Sequence, residues 1–172
     1  MTRPFILIVA TAAALAIGPR LEACGDKSLS PGGIRMMRAL AARYPASVLA
    51  YAPSGSPAAQ ATREMKLPQL LRRVGHQFQE VATIGELRTS IESGKYNIVV
   101  ANLADVANLE RDLGSISTRV VFVPIAYKLT KAETRDAARQ RRFLINARGL
   151  AVEHMQTIAE AVALVGPVSR KG

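Results

Sequence analysis

Cysteine, tryptophan and histidine are nearly missing from this chain: one Cys, no Trp and two His in 172 residues. A single thiol, Cys24, excludes an internal disulfide framework and any site built from several cysteines. The two histidines, His76 and His154, are far apart and lack metal-ligand spacing, so no metal or cofactor is expected. Aromatic residues make up 5% of the chain against 49% hydrophobic residues, so the core must be mainly Val, Ile, Leu and Ala. Carboxylates are the minority charge, 13 against 23 Lys and Arg, giving a formal net charge of +10. That balance favours anionic partners: phospholipid headgroups, nucleic acid or acidic protein surfaces. Phosphate-binding G-x-x-x-x-G-K-[ST], dinucleotide-binding G-x-G-x-x-G and nucleophile-elbow G-x-S-x-G motifs are all missing.

What is present begins with an address. Arg3 is followed by an unbroken apolar run, FILIVATAAALAI, over residues 5–17. The run is short for a membrane span and has the form of a signal-peptide core, predicting a signal peptide over 1–23. The next residues, Leu21-Glu22-Ala23-Cys24-Gly25, resemble the lipobox of bacterial lipoproteins, with Leu three residues before the cysteine and a small residue directly before it. The resemblance implies that Cys24 is the lipid-bearing first residue of the mature chain. Glu22 stands where that pattern has a small uncharged residue. Cleavage near Ala23 by the general signal peptidase, or an uncleaved anchor, remain the alternatives. All of these place the rest of the chain outside the cytoplasm, and nucleic-acid binding conflicts with that location. Too few aromatics are present to stack bases.

Residues 24–45 read as a linker followed by a short amphipathic helix at 33–44, with Ile34, Met37, Leu40, Ala41 and Tyr44 at helical spacing. Residues 46–166 form one domain, and 167–172 are a tail. Within the domain, strands are predicted at 47–52, 77–81, 96–102, 119–125 and 143–146. Helices are predicted at 67–74, 84–93, 105–113, from the Thr130 cap to about 141, and at 151–164. Residues 53–61 are read as a loop. Asp105 is read as a helix cap, and Thr130 with Glu133 as a capping box. Strict alternation of strand and helix predicts a parallel sheet covered on both faces.

Residues 71–102, LRRVGHQFQEVATIGELRTSIESGKYNIVVAN, resemble the second-to-third-strand region of response-regulator receiver domains. The shared pattern is a helix end, a glycine, an alternating strand, a Gly-Glu helix start, then Lys-Tyr-Asp (here Asn97) and an apolar strand. The resemblance weakens over the rest of 47–164. It implies a three-layer, doubly wound, five-stranded parallel sheet of order 2-1-3-4-5 with an extra helix before it, and functional positions at the carboxyl ends of the strands. Receivers carry an acidic, metal-binding pair after strand one, an acceptor Asp ending strand three, Thr or Ser after strand four and Lys after strand five. This chain has Ala52-Pro53, Asn102, Pro124-Ile125-Ala126 and Asn146 at those places. Asn102 is therefore a degenerate phosphoacceptor position, and no catalytic residue is expected.

Two surfaces remain as candidates. Lys131, Arg135, Arg139 and Arg142 fall at i, i+4, i+8 and i+11, with Lys128, Arg141 and Arg148 flanking them. This row is the expected contact for an acidic protein partner or an anionic membrane surface. The alternative is a flavodoxin-like small-molecule or phosphate site, or an enzyme, using loop 53–57 (PSGSP) at the ligand edge of the sheet. Arg72 and Arg73 suit the end of a helix and are given no function.

Overall fold

The computed structural model describes residues 31–165. Its elements in chain order are α1 (Pro31–Arg43), β1 (Ser47–Tyr51), α2 (Pro57–Glu64), α3 (Leu67–Val74), β2 (Gln77–Val81), α4 (Ile84–Glu92), β3 (Ile98–Asn102), α5 (Leu103–Leu113), a 3-10 segment (Gly114–Arg119), β4 (Val121–Ala126), α6 (Lys131–Gln140), β5 (Ile145–Asn146) and α7 (Ala151–Val165). The five strands form one sheet of order β2-β1-β3-β4-β5, parallel at every pairing. This is the doubly wound order with an added N-terminal helix, and it brings the carboxyl ends of all strands to one edge.

Strand alternation divides the core into two sides. Val48, Ile98, Val100, Val123, Ile125 and Ile145 face one cluster, completed by Ile34 and Met37 of α1, Leu67 and Leu71 of α3, and Met155 and Ile158 of α7. Leu49, Val99 and Ala101 face the other, with Leu87 and Ile91 of α4 and Val106 and Leu109 of α5. The central strands β1 and β3 are buried on both faces and read as continuous apolar runs, as a covered parallel sheet requires.

Beyond shifts at element ends and a 3-10 segment at Gly114–Arg119 that the sequence reading did not foresee, three elements differ from it. Residues 57–64 are a helix rather than part of a loop: Ser56 caps it by accepting from the Ala59 N–H at 3.1 Å, and Pro57 sits at its first position, where no N–H is needed. Asp105 is not a cap. Asn102 occupies the N-cap of α5 without a side-chain cap bond, and Asp105 lies in the first turn. The fifth strand is two residues, Ile145–Asn146, because Phe143 precedes the β4 pairing at Ile125–Ile145. The Thr130–Glu133 capping box at the start of α6 is present as expected. Its hydrogen bonds hold the Glu133 carboxyl below its ordinary range, the Thr130 backbone N–H first and the Thr130 hydroxyl second.

Candidate functional site

The carboxyl edge of the sheet is built from the ends of β1, β3, β4 and β5. Ala52 continues β1 and donates its N–H to the Val81 carbonyl at 2.9 Å, so this position holds a buried alanine. Asn102 lies beside Ile125 in register and is half-buried. Asn146 accepts the Arg148 N–H on its side-chain oxygen at 3.1 Å, while its carbonyl accepts from His154 Nε2 at 2.9 Å. The carboxyl ends of β1, β3 and β5 are thus followed or closed by Ala52, Asn102 and Asn146, none of which carries a carboxylate, and an amide cannot act as an acyl-phosphate nucleophile. No group of three or more His, Cys, Asp or Glu suited to a metal occurs among the described residues.

Loop 53–57 is exposed at Ser54, Gly55 and Pro57, but part of its polar chemistry is used by the protein itself. Ser56 is engaged in capping α2, Pro57 has no N–H, and the Gly55 carbonyl accepts from the Gln60 side chain at 3.2 Å. The loop turns the chain from β1 into α2, with Gly55 at φ 75°, a conformation that favours glycine. In the first turn of α2 the Ala59 N–H is satisfied by Ser56 and Pro57 offers no donor.

The edge also carries a polar cluster that sequence reading missed. The buried Tyr127, just past β4, donates its hydroxyl to Glu64 of α2 at 2.6 Å. Lys128 follows in a left-handed backbone conformation, φ 55°, which costs a non-glycine residue of order 1–3 kcal/mol. Its ammonium donates to Gln60 Oε1 at 3.3 Å and lies 4.8 Å from the centre of the Tyr127 ring. Tyr127 above all, and Glu64 to a lesser degree, raise the Lys128 pKa. The cluster ties α2 to the β4–α6 connection. It joins residues more than sixty positions apart, so spacing along the chain gave no signal of it.

Of the expected basic surface, Lys131, Arg135 and Arg139 lie on α6 and are exposed. Ala137 is the buried residue of that ten-residue helix. Arg142 lies past the helix: Arg141 at its C-cap is extended (φ −118°, ψ 126°), so the i+11 spacing no longer places Arg142 in the row. Instead the Arg142 guanidinium lies 5.3 Å from the Phe143 ring centre. Asp136 pairs loosely with Arg139 at 3.8 Å, and Arg141 pairs with Glu110 of α5 at 3.4 Å, which ties α6 to the α4–α5 side of the sheet. Cys24 lies outside the described residues.

Comparison with family models, with curated proteins and with solved structures gives no match. The arrangement of this chain's own residues is therefore what bears on its function. A shallow open cleft of about 440 Å³ between β2 and α4 is lined by Gln79, Glu80, Val81, Glu86, Thr89 and Ser90. Glu86 is committed there to the Ala82 and Thr83 N–H groups at 2.9 and 3.3 Å, as the capping box of α4. Among the described residues, no helix is long and apolar enough to cross a membrane.

Proposed function

We propose that this chain is a non-catalytic interaction module with the receiver layout, exported and held at the membrane through Cys24. Its exposed helix α6 docks on an acidic protein. The observation that carries this reading is the imbalance of α6. Ten residues keep one alanine buried and turn Lys131, Arg135 and Arg139 to solvent along a single face. A helix this polar gains little from core packing, so its sequence is free to serve a contact. Arginine suits carboxylate partners because its planar fork can donate two parallel hydrogen bonds.

A photo-crosslinking residue at exposed Gln140, introduced into the full chain, is expected to give one discrete protein adduct in the cell envelope. The adduct should vanish when Arg135→Glu and Arg139→Glu are added. Absence of an adduct, or one that survives the charge reversal, would remove the proposal.

The non-catalytic part has its own check. Asn102→Asp restores a carboxylate at the end of β3 but leaves Ala52-Pro53 without a metal-binding partner. The variant is expected to take up no acid-labile phosphate from acetyl phosphate and Mg²⁺, because a lone carboxylate holds Mg²⁺ poorly. Phosphorylation of the unaltered chain, or of this variant, would count against the reading.

A further inference from the structure

A second basic surface lies on the side of the sheet opposite α6. α1 and α3 pack side by side over the same core cluster, through Ile34, Met37 and Ala41 on one and Leu67, Leu70, Leu71 and Val74 on the other. Arg38 Nε donates to the Arg73 carbonyl at 3.2 Å and fixes the two helices together. Arg35 lies one turn from Arg38 on the same flank of α1, and Arg72 and Arg73 occupy the last turn of α3. All four arginines are exposed. Across residues 31–74 the sole carboxylate is Glu64, and it accepts from Tyr127. Among the described residues these arginines form no ion pair with a carboxylate.

We infer that the α1–α3 side of the domain lies against an anionic phospholipid bilayer. Charge complementarity is the first argument. Four exposed arginines that form no ion pair with a carboxylate among the described residues suit a surface that carries many negative headgroups. The second is the path of the chain. Residues 24–30 separate Cys24, the proposed anchor, from α1, and that stretch reaches at most about 25 Å when fully extended. A membrane that holds Cys24 is therefore within reach of α1, the first described helix. The third is Met36, half-exposed (51%) beside Arg35, which supplies an apolar side chain for the headgroup layer. A single lipid or short apolar anchor combined with a polybasic patch holds a protein to membranes far more firmly than either alone. The orientation leaves α6, tied to the α4–α5 side through Arg141–Glu110, turned away from the bilayer. The inference rests on the membrane anchoring proposed above, and not on the partner assigned to α6.

The test uses the full chain offered equal amounts of phosphatidylglycerol and phosphatidylcholine vesicles that separate by density. The apolar run contributes to both partitions, so the ratio reports the headgroup preference. The chain should favour phosphatidylglycerol, and the preference should fade as salt rises. Arg72→Gln with Arg73→Gln should reduce the ratio by about thirtyfold. Lys95→Gln with Arg119→Gln, two exposed cations elsewhere, should leave it unchanged.

A second readout needs no variant. Phenylglyoxal labelling of the unaltered chain should find Arg72 and Arg73 protected on phosphatidylglycerol and reactive on phosphatidylcholine. Equal partition, a preference that survives the Arg72 and Arg73 changes, or equal reactivity on both lipids would overturn the inference. So would protection at Arg135 and Arg139 in their place, or protection of Arg72 and Arg73 by polyglutamate or an oligonucleotide but not by vesicles.

Discussion

Replacing Asn97 with leucine is expected to lower the free energy of unfolding by about 2–3 kcal/mol, although leucine is similar in size and apolar. Asn97 is 4% exposed at the amino end of β3. Its side-chain oxygen accepts the Ser47 N–H at 2.9 Å, its own N–H donates to the Ser47 carbonyl at 3.1 Å, and its carbonyl accepts from Val121 at 2.9 Å. One residue thus aligns the starts of β1, β3 and β4. Leucine would keep the backbone bonds but leave the buried Ser47 N–H without its acceptor, and the cost of such an orphan exceeds the modest net value of the bond itself. Ser47→Ala is the control. It keeps the N–H bond to Asn97 and loses only the 3.2 Å hydroxyl contact to Gln77, so its loss should stay near 0.5–1 kcal/mol. Urea unfolding of the three proteins checks the prediction. Equal midpoints for Asn97→Leu and the unaltered chain would contradict the role given to this side chain.

The second large effect is acid destabilisation centred on His76. This histidine is buried before β2, and its Nδ1 accepts the Ala46 N–H at 3.1 Å, which requires that nitrogen to be unprotonated. Burial lowers its pKa from the ordinary 6.5 to about 4. The unfolded chain therefore binds a proton that the folded chain refuses between those values. The stability due to the neutral ring is complete above pH 6.5, falls as the pH drops, and is exhausted below pH 4, with a total of about 3 kcal/mol as an upper bound. His76→Asn places an amide oxygen where Nδ1 accepts and removes the titration. The difference in unfolding free energy between the unaltered chain and His76→Asn should fall by roughly 2 kcal/mol between pH 7 and pH 5. That window lies above the titration of ordinary carboxylates. A pH-independent difference would show that burial does not govern this ring.

Much of the sheet was legible because apolar runs in β1, β3 and β4 alternate with helices that announce their ends. Gly75 stops α3 at φ 102°, and Thr130 with Glu133 starts α6. The miss at α2 had a local signal, Ser-Pro followed by alanines. The turn residues Pro53, Ser54 and Gly55 before it drew the whole stretch into a loop. Helix α6 was placed with the right start but run to Arg141, and Arg142 was therefore counted in a row it does not join.

The candidate surfaces divide along the same line. The α6 row was visible because side chains at i, i+4 and i+8 of one helix share a face whatever the helix packs against. The α1–α3 surface was not visible, because Arg38 and Arg73 are 35 residues apart and meet only when two helices pack on one side of the sheet. The bonds of Tyr127 and Lys128 to α2 are of the same kind.

By itself the sequence determined the alternation of strands and helices, the excess of positive charge, and the amide in place of a carboxylate at Asn102. These are properties of residue identity and of periods two and 3.6, which a chain carries before it folds. The tertiary structure decided which cations stand together, which polar groups are buried with a partner, and where His76 loses its water. Those are set by distances between segments far apart in the chain, and only the closed parallel sheet brings them within reach of one another.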